Sequence, residues 1–134
     1  MAQAFTVLIV DDDRFVREGL VDIVAARGFR VLAAGSTSEA TRTLRQQHVD
    51  VLFTDIVMPD QDGIELAKQA KQLQPGVQIM FSTGYFSRAS DALQLGKLLL
   101  KPMRAHQIET ALQEVLYYST DFAPQVLDSG PYQM

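Results

Sequence analysis

Cysteine and tryptophan are both absent from this chain of 134 residues. Without cysteine the protein can have neither a disulfide framework nor a thiolate metal site. Its apolar runs fall far short of the length of about 20 residues that crosses a membrane. The run Phe5–Val10 is also too short for a secretion signal, and no basic segment precedes it. We therefore expect no contact with a membrane, and the cytoplasm is the default location.

Basic residues are outnumbered, with 12 Lys and Arg against 16 Asp and Glu and a formal net charge of −4. Binding to a nucleic-acid backbone needs clustered Lys and Arg, and here they form no run. We therefore predict no direct contact with nucleic acid. The length fits one domain, and the apolar fraction of 47% is ordinary for a globular protein with one core.

Strand-like and helix-like segments alternate along the chain. Five short strands are predicted, at Phe5–Val10, Arg30–Ala34, Asp50–Thr54, Gln78–Ser82 and Lys97–Leu100. The segments between them show apolar residues at helical spacing. Strictly alternating strands and helices with right-handed crossovers give a parallel sheet between two helix layers, so the predicted class is a three-layer α/β fold.

The helical periodicity ends before Ser119. We predict a domain over residues 1–118 and a tail over 119–134, where Pro124 and Pro131 break any regular pattern. Two interpretations of the tail stay open. It is either disordered or docked through its apolar residues Phe122, Val126 and Leu127.

Charged residues stand at the ends of three predicted strands. Asp11, Asp12 and Asp13 follow the first strand, Asp55 follows the third, and Lys101 follows the fifth. Because the carboxyl ends of parallel strands share one edge of a sheet, these residues can meet in one acidic pocket with one fixed cation. Such a pocket suits magnesium and phosphate.

Several polar residues near these strand ends have a structural interpretation instead. Asp13 directly precedes a helix and is predicted to cap it, because helix N-caps favour aspartate. Asp60 and the pair Asp62-Gly63 are expected to form a turn and a cap rather than ligands. His48 and His106 have no second ligand nearby in the sequence, and we expect both on the surface.

Taken together, these motifs resemble the receiver domain of the two-component response regulators. The resemblance runs from about Thr6 to Leu116. The motifs that carry it are Val10-Asp11-Asp12, Thr54-Asp55-Ile56-Val57-Met58-Pro59-Asp60 with Asp62-Gly63, Ser82-Thr83-Gly84 and Lys101-Pro102. The resemblance implies a flavodoxin-like, doubly wound parallel sheet of five strands in the order 2-1-3-4-5.

The resemblance also implies a role for each residue of the pocket. Asp55 would accept a phosphoryl group from a histidine kinase or a histidine phosphotransfer protein, and an unknown downstream protein would read the result. Thr83 and Lys101 would bind phosphoryl oxygens, with a cis bond before Pro102 aiming Lys101 into the pocket. The implied ligands of Mg²⁺ are Asp11, Asp12, Asp55 and the backbone carbonyl of Val57.

Two departures from the receiver pattern affect the expected switch. Only 17 residues separate Thr83 from Lys101, so we predict a short fourth helix or a trimmed loop after it. Leu98 stands where receivers commonly place a mobile aromatic residue. We therefore expect Thr83 to act through the loop that follows it, with Tyr85 or Phe86 as the mobile ring.

Three rival interpretations remain. The chain could be a receiver cut from a hybrid kinase or a larger regulator, although its start at Met1 argues weakly against that. A phosphatase resembling the haloacid dehalogenases would explain the Asp-x-Asp pattern of residues 11–13, but it would leave Asp55 and Lys101 unexplained. A scaffold that needs no phosphate would have no use for the pocket.

Overall fold

The computed structural model describes residues 4–84 and 88–117, which form five strands alternating with five helices. The strands are β1 (Thr6–Val10), β2 (Arg30–Ala34), β3 (Val51–Asp55), β4 (Gln78–Thr83) and β5 (Lys97–Leu100). The helices are α1 (Arg14–Ala25), α2 (Thr37–Gln46), α3 (Gly63–Leu73), α4 (Ala89–Leu95) and α5 (Ala105–Tyr117).

All neighbouring strands are parallel, in the order β2-β1-β3-β4-β5. Alternate residues of each strand point to opposite faces of the sheet, so two separate cores form. Leu8 and Val10 of β1 pack on the side of α2, α3 and α4, whereas Val7 and Ile9 pack on the side of α1 and α5. The predicted three-layer, doubly wound fold and its strand order are confirmed.

The predicted strand bounds hold for β2 and β5 and differ by one residue for the others. β3 ends at Asp55 and β4 at Thr83, one residue later than the apolar pattern indicated. The ladder explains the difference, because Asp55 pairs with Ser82 and Thr83 pairs with Leu100. The polar residues at these ends therefore belong to the strands and share their rigidity.

Side-chain caps fix the helices next to the carboxyl edge of the sheet. As predicted, Asp13 caps α1 by accepting hydrogen bonds from backbone N–H groups of its first turn. Asp62 caps α3 in the same way. Asp60 accepts hydrogen bonds from the hydroxyl of Thr37 at 2.8 Å and the backbone N–H of Ser38 at 3.2 Å, so it joins the β3–α3 loop to the start of α2.

The fourth helix is short, as the spacing predicted. It has 7 residues, and Gly96 alone connects it to β5. A Cβ atom at position 96 would lie 2.1 Å from the carbonyl oxygen of Ile79 on β4. Only glycine fits such a close approach, and it allows the trimmed connection.

Some predictions fall outside the described residues. They are those for Tyr85, for Phe86 and for the tail over 119–134. Within the described ranges, the helices are all too short or too polar to cross a membrane.

Candidate functional site

The carboxyl edge of the sheet gathers the charged residues that the sequence placed at strand ends. Asp11 follows β1, Asp55 ends β3, Thr83 ends β4 and Lys101 follows β5. The backbone N–H of Lys101 donates to the carbonyl of Thr83 at 2.9 Å, which extends the β4–β5 ladder into the site. Each of these residues is therefore held by the backbone of the sheet.

Three carboxylates and one ammonium group converge there. Asp11, Asp12 and Asp55 each offer an oxygen, and these oxygens lie within 4.8 Å of one another. The Nζ atom of Lys101 lies 3.3 Å from Asp11 Oδ2 and 3.2 Å from Asp55 Oδ2. One ammonium against three carboxylates leaves two formal negative charges in a small volume.

Burial and repulsion shape the ionisation of this cluster. The side chain of Asp55 is 11% exposed and that of Asp11 only 1%. Burial raises the pKa of Asp55, attraction to Lys101 opposes that rise, and repulsion from Asp11 adds to it. Burial alone would lower the pKa of Lys101, but attraction to Asp55 and Asp11 outweighs it and raises that pKa. The site therefore holds a permanent cation and an excess of negative charge.

The donor set fits Mg²⁺. Magnesium prefers oxygen ligands at about 2.1 Å in an octahedron, which puts neighbouring ligand atoms about 3 Å apart and opposite ones about 4 Å apart. Carboxylate oxygens within 4.8 Å of one another need only a small side-chain adjustment to reach that spacing. A divalent cation would also neutralise the two excess charges.

The structure also describes the remaining residues assigned to the site, apart from Tyr85 and Phe86. The backbone N–H of Val57 donates to Asp55 Oδ1 at 3.3 Å, and the Val57 residue is 52% exposed. Thr83 is buried at the end of β4. The Lys101–Pro102 bond is cis, the isomer that the resemblance implied. Leu98 on β5 is partly buried against the core beneath α4.

The residues interpreted as structural contact helix starts or lie on the surface, and of these Asp13 also adjoins the cluster, because its N–H donates to Asp11 Oδ1 at 2.9 Å. Asp13 and Asp62 cap α1 and α3, and Asp60 bonds to the start of α2, as described above. His106 is exposed at the start of α5. His48 is also exposed and lies 2.9 Å from Asp50 before β3, at the opposite end of the sheet from Asp55.

Gly63 contributes to the site in a way the sequence did not reveal. A Cβ atom at this position would lie 2.0 Å from the carbonyl oxygen of Asp55, and the Gly63 N–H donates to the carbonyl of Ile56 at 2.7 Å. The start of α3 therefore presses against the backbone of Asp55. The Asp-Gly pair suggested only a turn or a helix cap, because this contact depends on the tertiary approach of α3 to β3.

The role of Arg17 was also not predicted from the sequence. Its Nη1 atom donates to the carbonyl oxygen of Asp11 at 2.7 Å. Its place in α1, four residues after the cap Asp13, is a weak signal of this contact, because long helical side chains point back toward the helix N-terminus.

An apolar groove of about 480 Å³ adjoins the charged cluster. Residues of α1 form one wall, and Lys101, Pro102 and Met103 with Ile108 of α5 form the other. Phe15 lies at its rim and is 86% exposed. Lys101 thus lines both the groove and the acidic pocket.

Comparisons with known proteins agree with this geometry. The profile of the family described as "Response regulator receiver domain" matches residues 7–113. The response regulator receiver protein CpdR of Brucella abortus (strain 2308) is 34% identical over 114 residues, which are 82% of this chain and 95% of CpdR. The chemotaxis protein CheY of Bacillus subtilis (strain 168) is 33% identical over 118 residues, 84% of this chain and 98% of CheY.

A solved structure gives the same result. The crystal structure of a CheY-like response regulator receiver domain protein from Methanospirillum hungatei JF-1 superposes on this chain with a TM-score of 0.78. The two sequences are 26% identical, and the match covers 84% of this chain and 93% of that structure.

Proposed function

This chain belongs to the response regulator receiver family of two-component signalling, and we propose that Asp55 is the residue that accepts its phosphoryl group. The observation that carries the proposal is the convergence of Asp11, Asp12 and Asp55 on the single ammonium of Lys101. Asp55 ends the central strand of the sheet and is less deeply buried than Asp11. Of the two carboxylates that contact Lys101, it is therefore the one that a phosphodonor reaches.

The proposed reaction is an in-line transfer to a carboxylate. One oxygen of Asp55 forms the new bond to phosphorus as the bond from phosphorus to the donor's imidazole nitrogen breaks, and the electron pair of that bond stays with the imidazole. Lys101 binds one phosphoryl oxygen, and the hydroxyl of Thr83 donates to a second. Both side chains stand on strand ends beside Asp55, so little reorganisation is needed.

Magnesium would complete the site. Asp11, Asp12, Asp55 and the carbonyl of Val57 would hold it, and its charge would offset the negative charge on the phosphoryl oxygens. The fit of the donor set and the two excess negative charges support this assignment.

The proposed partners follow from the chemistry. A histidine kinase or a histidine phosphotransfer protein supplies the phosphoryl group, and a downstream protein binds the phosphorylated form. The net charge of −4 gives no support for direct binding to nucleic acid. We propose a cytoplasmic protein that promotes chemistry on its own aspartate instead of turning over a substrate.

The switch is proposed to act through the loop after β4. When the Thr83 hydroxyl moves to the phosphoryl group, the residues bonded to it must follow. Leu98 has no hydroxyl and gains little from a change of position. We expect hydrogen exchange with beryllofluoride and Mg²⁺ to change most over residues 83–96, and a change confined to Leu98 and α5 would contradict this route.

The decisive experiment is intact-mass spectrometry after incubation with acetyl phosphate and Mg²⁺. Wild-type protein should gain one phosphoryl group, and Asp55→Asn should gain none. Asp60→Asn is a matched control, because it removes a carboxylate from the loop that follows Asp55, while the amide oxygen of asparagine can still accept the hydrogen bonds from Thr37 and Ser38. Labelling that survives in Asp55→Asn or in excess chelator would overturn the proposal.

A phosphatase related to the haloacid dehalogenases is not favoured. It would not account for the contacts of Asp55 and Lys101, and the family match lies elsewhere. The mass experiment also separates these functions, since a phosphatase would consume acetyl phosphate repeatedly without retaining a label.

A further inference from the structure

We propose that Arg17 is a positioning residue that sets the geometry of the magnesium ligands by holding the peptide between Asp11 and Asp12. The inference rests on the proposed function, because it takes the carboxylates of this pocket to be the metal site. It adds a residue that touches neither the metal nor the phosphoryl group. Arg17 acts through the backbone that carries both aspartates.

The contact is a hydrogen bond from a charged side chain to a backbone carbonyl. Arg17 lies in the second turn of α1, and its side chain turns back toward the start of the helix. Its Nη1 atom donates to the carbonyl oxygen of Asp11 at 2.7 Å. Hydrogen bonds from a guanidinium are roughly twice as strong as neutral ones, so this one can fix the orientation of a peptide plane.

The guanidinium also lies close to the β2–α2 connection. Nη1 and Cζ of Arg17 lie 3.1 and 3.5 Å from the position that a Cβ atom would take at Gly35. The N–H of Gly35 donates to the carboxylate of Glu39 at 2.5 Å, which holds that turn in place. The guanidinium of Arg17 therefore lies beside both loops, the one that follows β1 and the one that follows β2.

The Asp11–Asp12 peptide needs such a support. Asp11 has three other tethers, from its own N–H to the carbonyl of Ala34 at 3.2 Å, from the N–H of Asp13 to its Oδ1 at 2.9 Å and from Lys101 Nζ to its Oδ2 at 3.3 Å. None of them holds the carbonyl that leads into Asp12. Asp12 is exposed and follows that carbonyl directly, so the direction of its carboxylate depends on the peptide that Arg17 holds.

Geometry and charge predict opposite effects of removing this arginine. Loss of a positive charge beside an acidic cluster should strengthen the binding of a cation. Loss of the peptide's support should weaken it, because outer residues that orient metal ligands contribute about 10–100-fold to metal affinity. Arg14 offers the matched control. It carries the same charge in the preceding turn, but its guanidinium pairs with Glu18 on the surface of α1.

The test is isothermal titration of Mg²⁺ into the full chain and its variants. Arg17→Met should raise the dissociation constant roughly tenfold, the lower end of the range for such residues. Arg14→Met should leave it unchanged or lower it. Arg17→Lys can still donate one bond to the carbonyl, so its constant should lie between those of the wild type and Arg17→Met.

The melting temperature in chelator separates positioning from a merely structural role. If Arg17→Met melts at a lower temperature but binds Mg²⁺ as tightly as Arg14→Met, the inference is overturned and the proposed function stands. Wild-type protein that binds no Mg²⁺, or an Asp12→Asn variant that binds it normally, would overturn the metal site and the inference together.

Discussion

Replacing Gly63 with alanine tests how closely α3 must approach β3, the strand that ends at the proposed phosphoacceptor Asp55. The new Cβ atom would lie 2.0 Å from the carbonyl oxygen of Asp55 and 3.1 Å from Cα of Ile56. A carbon and an oxygen that are not bonded need more than 3 Å, so the start of α3 and the end of β3 must separate by about 1 Å. Both contacting groups are backbone, and no side chain can rotate to relieve the overlap.

The loss in the free energy of unfolding can be derived from the contacts that change. Overpacking of this kind costs about 1–3 kcal/mol, and a clash between two backbone segments belongs at the upper end. The hydrogen bond from the Gly63 N–H to the carbonyl of Ile56, at 2.7 Å, contributes about 1 kcal/mol more when it is strained. Alanine returns up to about 1 kcal/mol through its higher helix propensity. The net loss of stability should be about 3 kcal/mol.

Gly19 supplies the control for this substitution. It lies within α1, and no atom comes within 4 Å of a Cβ built there. Gly19→Ala should therefore stabilise the protein by up to about 1 kcal/mol. Urea denaturation of both variants in chelator would measure the difference in their free energies of unfolding. In thermal denaturation, the melting temperature of Gly63→Ala should lie on the order of 12 °C below that of the wild type. A Gly63→Ala protein as stable as Gly19→Ala would refute the close approach.

Three further predictions concern the proposed phosphorylation site. The pKa of Asp55 is raised from its ordinary value of 3.8, so the ionised carboxylate destabilises the folded protein. In chelator, Asp55→Asn should therefore be more stable than the wild type near neutral pH. That advantage should shrink as the pH falls toward 3.8, and an advantage that does not change with pH in urea titrations would contradict this assignment. Val57 is apolar and cannot orient a water against the acyl phosphate, so Val57→Asn or Val57→Glu should speed the decay of labelled protein, followed by mass spectrometry. Phe15→Ala should slow phosphoryl transfer from a histidine phosphodonor protein by about tenfold but leave labelling by acetyl phosphate unchanged. The reason is that only a protein donor would contact the apolar groove. Equal slowing with both donors would instead show that Phe15 takes part in the transfer step.

The sequence predicted the parts of this molecule that depend on local pattern and on the logic of a parallel sheet. Apolar runs marked the five strands, and the carboxyl edge then brought Asp11, Asp55 and Lys101 together although they are far apart in the chain. No detailed packing was needed for that step, because parallel strands allow only one such edge. The predicted ends of β3 and β4 fell one residue before the observed ends, which are Asp55 and Thr83. A polar residue after an apolar run does not indicate that the pairing of the strands continues.

The contacts that support the site could not be predicted from the sequence. Gly63, Arg17 and the bridge from Asp60 to α2 all act across the gaps between elements that are distant in sequence. Their residue types have commoner explanations, namely a turn glycine, a surface arginine and a turn aspartate. Only the distances between elements distinguish these roles, and a single sequence does not specify such distances.

Lys101 explains why this site needs both a rigid frame and an exchangeable cation. Among the described residues it is the only cation within ion-pair distance of Asp11 and Asp55, and it spans both carboxylates at 3.2 to 3.3 Å. Two of its three N–H donors already face Asp11 and Asp55, so a phosphoryl oxygen can use only the third, and it brings further negative charge among the carboxylates. The site can accept that charge only if another cation already lies among the carboxylates, which are held in place by the strand ends. We therefore expect labelling by acetyl phosphate to depend on Mg²⁺ even at saturating donor, and labelling that proceeds equally well in chelator would show that Lys101 alone carries the charge.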